Sequence, residues 1–328
     1  MPVESPAFET KVQRMLKVTE RLIDASEQRQ MHLLHDHPWD APVDKPFLMK
    51  RERISIYGTP YWDLASEEEI RRLSIEEIVT WWSGFVGLEQ LVSEYYMRLV
   101  NLRKFRTLPR LETYLKHFVK EEIVHTLVFL KAMDYYGSEM YEVPEFVRSL
   151  FDDNASTGEY PLMAVYLTMM VEWLADIQQH LDTDADYVHV LAKSVVHAHW
   201  REEMRHIKFG QNVILALADT DQDFIDKARQ FTPVFLRQVV DQGVTNIECF
   251  DRVGFKHPAF ADKEALLEAV IGSPHRQALN RELVRPMMRY FVTSGIYVPQ
   301  YHALWAEQGF EADIQEALAG DDDASQYA

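Results

Sequence analysis

The amino-acid sequence predicts an all-α protein built on a four-helix bundle. Apolar residues recur at three- and four-residue steps along almost the whole chain, which is the helical period. The alternation of apolar and polar residues that is typical of strands is hard to find. Hydrophobic residues make up 47% of the 328 residues. That content is enough to bury a large core, so a disordered chain is excluded.

The N-terminal part is predicted to contain one amphipathic helix, at about residues 8–30, followed by irregular structure. A stretch that contains proline and tryptophan, residues 37–62, is expected to wrap the body of the protein. Two serine–glutamate pairs then have the spacing of a capping box: Ser66 with Glu69, and Ser74 with Glu77. The second pair is predicted to open the first bundle helix, over residues 75–102.

Three further bundle helices are predicted. Thr107 and Pro109 begin the second, and Gly137 ends it, because proline suits a first helical turn and glycine the position after the last. A connector over residues 138–159 separates the two helix pairs. The third helix is predicted over 161–181 and the fourth over 186–218.

Shorter helices are predicted after the bundle, at residues 224–242, 263–271, 276–293 and 300–308. Residues 221–318 are expected either to cover the end of the bundle or to form a homodimer interface. Because no linker interrupts the core, residues 1–320 are predicted to form one domain. Residues 321–328 contain three consecutive aspartates and are predicted to be a disordered acidic tail.

Composition excludes several functions. The chain has 34 Lys+Arg against 52 Asp+Glu, a net charge of −18, whereas a nucleic-acid partner needs a basic face. The 12 glycines form no phosphate-binding motif, so neither bound flavin nor NAD is expected. A single cysteine, Cys249, indicates a reducing compartment. Without a signal-like start or a long apolar run, we expect a cytoplasmic protein and no membrane partner.

Two Glu-x-x-His pairs stand on predicted bundle helices: Glu122 with His125, and Glu203 with His206. Residues three apart share a helix face, so each pair can present an oxygen and a nitrogen to one ion. One such pair is expected roughly once by chance in a chain of this composition. The second pair is extended by His199, and this His-x-x-x-Glu-x-x-His string is expected only about 0.05 times by chance.

Four-helix di-metal sites also need one carboxylate from each remaining helix. The third bundle helix offers one glutamate on its apolar stripe, Glu172. The first helix offers Glu89, which continues an apolar row, and Glu94, which shares its row with small and polar residues. Antiparallel pairing brings position 89 opposite Glu122 and His125. We therefore choose Glu89 and keep Glu94 as the alternative.

The resulting set combines four carboxylates with three imidazoles: Glu89, Glu122, His125, Glu172, His199, Glu203 and His206. Two divalent ions balance four buried negative charges. Oxygen and nitrogen ligands without thiolate suit iron, with manganese as the second candidate. Glu121 and Glu202 are expected to accept the N–H of the histidine on the facing helix, and Arg205 to hold such an acid in place.

Six apolar residues lie about one helical turn from these ligands. They are candidates for lining an apolar substrate pocket, although a closed core is the alternative. They are Phe85, Val92, Phe118, Phe129, Met169 and Val196.

The strings EEIVH and EEMRH resemble the paired (D/E)ExxH signature of ferritin-like di-iron carboxylate oxygenases, and Arg205 matches the arginine common in its second copy. The additional His199, with Glu172 31 residues before Glu203, resembles the AurF-type p-aminobenzoate N-oxygenase family in particular. The resemblance covers about residues 75–215. It implies a ferritin-like four-helix bundle with additional N- and C-terminal helices.

The resemblance also implies how the ligands divide between two irons. Two glutamates bridge the ions and the others belong to one ion each. The bridges are Glu122 and Glu203; one iron takes Glu89 and His125, and the other takes Glu172, His199 and His206.

The activity that the resemblance implies is O₂-dependent oxygenation of an amine. Two ferrous ions, which become ferric, would hold a bridged peroxide that oxidises an aryl or amino-acid-derived amine to a hydroxylamine, nitroso or nitro product. An external electron donor or reductase is then required. The alternatives are a di-iron hydroxylase or desaturase acting on carbon, ferritin-like iron storage, and a metal-free helical interaction protein.

Overall fold

The fold is known from a computed structural model, which describes residues 6–44, 46–101, 108, 110–142, 161–242 and 246–319. In these residues the chain forms helices and no β-strand, and one isolated bridge joins Phe47 to Val188. The all-α class is therefore confirmed. The first five helices are α1 (Pro6–Gln28), α2 (Glu67–Leu99), α3 (Leu111–Tyr136), α4 (Pro161–Thr183) and α5 (Val190–Leu217).

Helices α2 to α5 form the bundle as two antiparallel pairs. In the first pair, α2 and α3, Ser83 contacts Met133 and Tyr96 packs on Phe118, so the residue numbers run in opposite directions. Helices α4 and α5 form the second pair and are the most extensively packed in the chain. Helix α1 covers α3 and α5 from outside. The inward faces of four helices therefore enclose one interior.

Helix α2 begins eight residues earlier than the sequence predicts. Ser66 and Glu69 form the capping box, in which the Ser66 side chain accepts from the Glu69 amide at 3.3 Å. The prediction of a second capping box, at Ser74 and Glu77, is wrong. The Ser74 hydroxyl donates to the Arg71 carbonyl, a bond of the helix interior, and Glu77 accepts from the Ser55 amide. One continuous 33-residue helix results.

Six shorter helices follow the bundle: α6 (Gln222–Gln242), α7 (Ile247–Val253), α8 (Lys263–Ile271), α9 (Pro274–Ser294), α10 (His302–Glu307) and α11 (Glu311–Ala319). Two of them, α7 and α11, were not predicted. Helix α9 packs on α4, where Tyr290 meets Trp173 edge to face. The C-terminal region thus covers the bundle, and its predicted role in a homodimer stays a prediction.

In the described residues of the ranges 29–44 and 46–66, the regular structure is limited to two short 3₁₀ turns, as expected for an irregular segment that wraps the bundle. The predicted helix start at Thr107 and Pro109, most of the connector and the acidic tail lie outside the described residues. None of the described helices combines the length and the apolarity needed to cross a bilayer.

Candidate metal centre

The bundle brings all seven predicted ligands together in its interior. Helix α2 contributes one, α3 two, α4 one and α5 three, and each is at most 2% exposed. Glu94, the alternative on α2, is 60% exposed and pairs with Arg98 on the same helix. The apolar row that continues through Glu89 therefore identified the inward face of α2 correctly.

The donor atoms of these side chains form two groups, within each of which they lie no more than 4.8 Å apart. Glu203 belongs to both groups. The first group is Glu89, His125, His199 and Glu203, and the second is Glu122, Glu172, Glu203 and His206.

The position of His199 differs from the one that the resemblance implies. Its Nε2 lies 3.1 Å from Glu89 Oε1 and 3.2 Å from Glu203 Oε1, so it joins the first group rather than Glu172 and His206. Positions 199 and 206 are separated by about 10 Å along a helix axis at 1.5 Å per residue. The two histidines therefore lie on opposite sides of Glu203 along α5, where His199 contacts Glu89 of α2 and His206 contacts Glu121 of α3.

Glu122 belongs to the second group and also approaches His125 of the first. Its Oε1 is 2.9 Å from His206 Nδ1, and its Oε2 is 3.6 Å from His125 Nδ1. Neither oxygen forms a hydrogen bond, because the geometry is unfavourable for one. Oxygen and nitrogen atoms that face a common point without bonding to each other are arranged as ligands of an ion.

The two histidines of the Glu-x-x-His pairs, His125 and His206, are each held by a glutamate of the facing helix. Glu202 on α5 accepts from His125 Nε2 at 2.9 Å, and Glu121 on α3 accepts from His206 Nε2 at 3.0 Å. Arg205 Nη2 lies 3.0 Å from Glu202 and 3.1 Å from Glu121. These bonds fix the outer ring nitrogens, so that both Nδ1 atoms face the interior of the centre.

Asp176 was missed by the sequence reasoning. It is fully buried on α4, with Oδ1 3.6 Å from His199 Nδ1. The signal was available, because Asp176 lies four residues after Glu172 and so on the same face of an otherwise apolar helix. Burial raises the pKa of Asp176 to about 6, against the opposing effect of His199.

The pKa values of the acids in the centre are shifted in opposite directions. Burial raises the pKa of Glu89 to about 7 and that of Glu172 well above its usual value. Burial also acts on Glu203, but the neighbouring histidines outweigh it and hold its pKa well below the usual value. For His125 the neighbouring carboxylates outweigh burial and raise the pKa.

The six candidate pocket residues are all buried, at most 2% exposed, and pack around the ligands. Phe118 stacks on the His206 ring at a centroid distance of 3.6 Å. Phe85 and Phe129 meet the His199 ring edge to face at 4.6 and 4.8 Å. None of the six lines the half-open cavity of about 400 Å³ beside α5. The three phenylalanines are therefore packed against the candidate ligand imidazoles in the closed interior.

The donor set fits two metal ions. Both oxygens of Glu172 and of Glu122 and one oxygen of Glu203 are buried without a hydrogen-bond partner. Leaving such atoms unpaired is costly in a protein interior, and a cation would satisfy them. Carboxylate and imidazole ligands without thiolate are those of redox-active iron sites and of manganese.

Comparison with known proteins gives one family match. The model of the P-aminobenzoate N-oxygenase AurF family matches residues 13–295, which is most of the chain and includes all seven candidate ligands. Comparison with the curated proteins and with the solved structures gives no match.

Proposed function

Because the chain belongs to the p-aminobenzoate N-oxygenase AurF family, whose fold is ferritin-like and all-α, we propose that it is a di-iron oxygenase that transfers oxygen from O₂ to the nitrogen of an amine. The observation that carries the proposal is the meeting of seven buried ligand side chains from four helices. The seven residues as ligands, the iron and the amine substrate are all parts of this proposal.

In the proposed enzyme, Glu89, His125, His199 and Glu203 hold one iron, and Glu122, Glu172, Glu203 and His206 hold the other. Two ferrous ions bound there would supply two electrons to dioxygen, so that one oxygen atom could pass to the amine nitrogen and the other, with two protons, could leave as water.

The side chains around the ligands have separate tasks. Glu202 and Glu121 keep the rings of His125 and His206 oriented, since each accepts the N–H of the outer nitrogen. Arg205 neutralises these two acids, so that their charge does not compete with the centre. Phe118, stacked on His206, excludes water from one side.

The proposal is tested by loading the protein with ferrous iron without oxygen and then adding O₂ and a panel of aryl and amino-acid amines. We expect two irons per chain and a product heavier than the amine by oxygen atoms on nitrogen, read by mass spectrometry. No amine-dependent product and no bound iron would contradict the proposal.

The same experiment distinguishes the other functions. Oxidation of carbon with the amine nitrogen unchanged would indicate a hydroxylase or a desaturase. Accumulation of many ferric ions per chain without any organic product would indicate iron storage. A sustained reaction needs electrons from outside, and we propose that a separate reductase or small reductant supplies them.

A further inference from the structure

A cavity of about 400 Å³ opens to solvent directly beside the candidate metal centre. Its walls come from the end of α1, the segment that follows it and one face of α5. Three arginines line it, Arg29, Arg201 and Arg205, together with the two acids Asp36 and Glu202. We call it the arginine cavity.

The arginine cavity is locally positive in a chain of net charge −18. Both of its acids are already engaged: Asp36 accepts from the His32 amide at 2.8 Å, and Glu202 accepts from the Met31 amide at 2.9 Å. Among the described residues, no carboxylate forms an ion pair with Arg29 or Arg201, and both side chains are exposed at the mouth. Two guanidinium groups are therefore available to an incoming anion.

The floor of the arginine cavity is joined to the centre by a single hydrogen bond. Glu202 is 4% exposed and accepts from His125 Nε2 at 2.9 Å, while the inner nitrogen of that ring lies 3.0 Å from Glu203. Ala198, which also lines the cavity, directly precedes His199. A molecule seated here would lie one side chain away from the ligands of the first group.

Arg205, the third arginine of the cavity, is largely buried. Arg205 is 11% exposed, contacts Glu202 and Glu121, and its Nε is buried without a hydrogen-bond partner. Arg29 and Arg201 are exposed, whereas the charge of Arg205 is balanced by Glu202 and Glu121, so the unpaired positive charge of the cavity lies with Arg29 and Arg201. Planar guanidinium groups match the two oxygens of a carboxylate or the oxygens of a phosphate.

We propose that the arginine cavity binds the carboxylate or phosphate group of a small organic anion that serves the candidate metal centre. The same chemistry could belong to an amine substrate that carries an acid group or to an anionic electron donor. That the anion serves the centre rests on the proposed function. Binding of the anion does not rest on it, and the two are measured separately.

Binding is tested by titrating the iron-loaded protein with benzoate and, as a neutral probe of similar shape, benzamide. We expect saturable benzoate binding that weakens with salt and much weaker benzamide binding. Arg201→Gln should weaken benzoate binding about tenfold, since a charge-assisted hydrogen bond is removed. Arg72→Gln, an exposed arginine of α2 outside the cavity, is the matched control and should change nothing.

Two results would overturn the proposal: no saturable benzoate binding, or the same affinity in the Arg201→Gln variant as in the wild type. Equal weakening by Arg201→Gln and Arg72→Gln would show binding to overall charge only, which would overturn it too. Circular dichroism of each variant checks that the fold is retained.

Two further measurements show whether the anion that binds here is the substrate or the electron donor. If the substrate binds here, Arg201→Gln lowers the single-turnover yield from p-aminobenzoate with pre-reduced protein but not the yield from aniline. If the donor binds here, Arg201→Gln slows reduction of the oxidised protein by ascorbate but not by neutral hydroquinone. If neither changes, the anion does not serve the centre. Benzoate binding that persists in a protein without oxygenase activity would contradict the proposed function alone.

Discussion

The molecule contains two clusters of buried charge that are neutralised in different ways. In the candidate metal centre the carboxylates face histidines, and both oxygens of Glu172 have no hydrogen-bond partner. The second cluster, which we call the arginine–carboxylate cluster, is made of Arg53, Glu77, Asp182 and Arg276. There, Arg53 Nε donates to Asp182 at 2.5 Å.

The arginine–carboxylate cluster satisfies its acids with groups of the chain itself. Gln178 Nε2 lies 2.9 Å from both oxygens of Asp182, and the Ser55 amide donates to Glu77. Arg276 donates to the Arg53 carbonyl at 3.1 Å. Where the chain supplies its own cations and donors, buried charge holds the fold; where it leaves carboxylate oxygens unpaired, an external cation is needed.

The largest expected effect is at the residue that both ligand groups share. Glu203→Ala should reduce bound iron from two ions per chain to one or none and abolish turnover, because each group loses a ligand. Metal analysis by mass spectrometry and product formation measure this. Glu94→Ala, an exposed glutamate of α2, is the control and should retain both irons. Full iron content in Glu203→Ala would refute the shared-ligand assignment.

In the arginine–carboxylate cluster, a substitution is expected to lower the stability of the protein and to leave iron binding unchanged. Arg53→Ala leaves Asp182 buried and uncompensated, which should lower the free energy of unfolding by about 3–5 kcal/mol. The folded fraction should still bind two irons. Arg51→Ala breaks an exposed pair with Glu67 and a cation–π contact with Phe47, and should cost no more than about 1–2 kcal/mol. Urea denaturation compares the two, and equal losses would show that the buried pair has no special role.

Glu77 is expected to make the free energy of unfolding depend on pH, in a direction that follows from the shift of its pKa. Burial raises its pKa from 4.5 to about 7, against the opposing hydrogen bonds from Ser55. Between these pH values the folded state binds the proton more often than the unfolded state. Stability therefore falls as pH rises through this window, by at most about 3 kcal/mol.

Glu77→Gln should remove this contribution, because the amide does not titrate. Urea denaturation at pH 5 and at pH 7.5 measures it, and the wild type should lose more stability between the two than the variant does. Parallel changes in both proteins would assign the pH dependence to other groups.

The sequence could indicate which side chains share an inward helix face, because the spacing of the candidate ligands is a property of single helices. Glu122 with His125, and Glu203 with His206, share a face on any regular helix, and the structure brings both pairs inward. The relative rotation and height of two helices are not contained in such spacing. The contact between His199 and Glu89 therefore had to come from the structure.

The arginine–carboxylate cluster escaped the sequence reasoning for a related reason. Arg53 lies in the irregular segment, where no periodicity indicates which side chains face inward. Its partner Asp182 lies just beyond the predicted end of the third bundle helix at residue 181, whereas in the structure it belongs to the last turn of α4 and is fully buried. Only the three-dimensional path of the segment brings these two residues together.

The smallest expected effects concern how tightly the helices of the centre are packed. A Cβ at Gly210 on α5 would lie 2.7 Å from Met169 Cβ on α4, three residues before Glu172. Gly210→Ala should cost about 1–3 kcal/mol by overpacking and, by separating α4 from α5, weaken the second iron. At Gly84 on α2 a Cβ would meet nothing within 4 Å.

Gly84→Ala should therefore stabilise the protein by about 0.5–1 kcal/mol, because alanine loses less backbone entropy in a helix. Thermal unfolding and iron titration of the two variants distinguish an effect of helix packing from an effect of helix propensity. Opposite signs of the stability change, with iron affinity altered only in Gly210→Ala, would show that close contact between α4 and α5 sets the ligand geometry. A stable Gly210→Ala variant with unchanged iron affinity would mean that the Met169 side chain can move aside and that the ligands are positioned by their own hydrogen bonds.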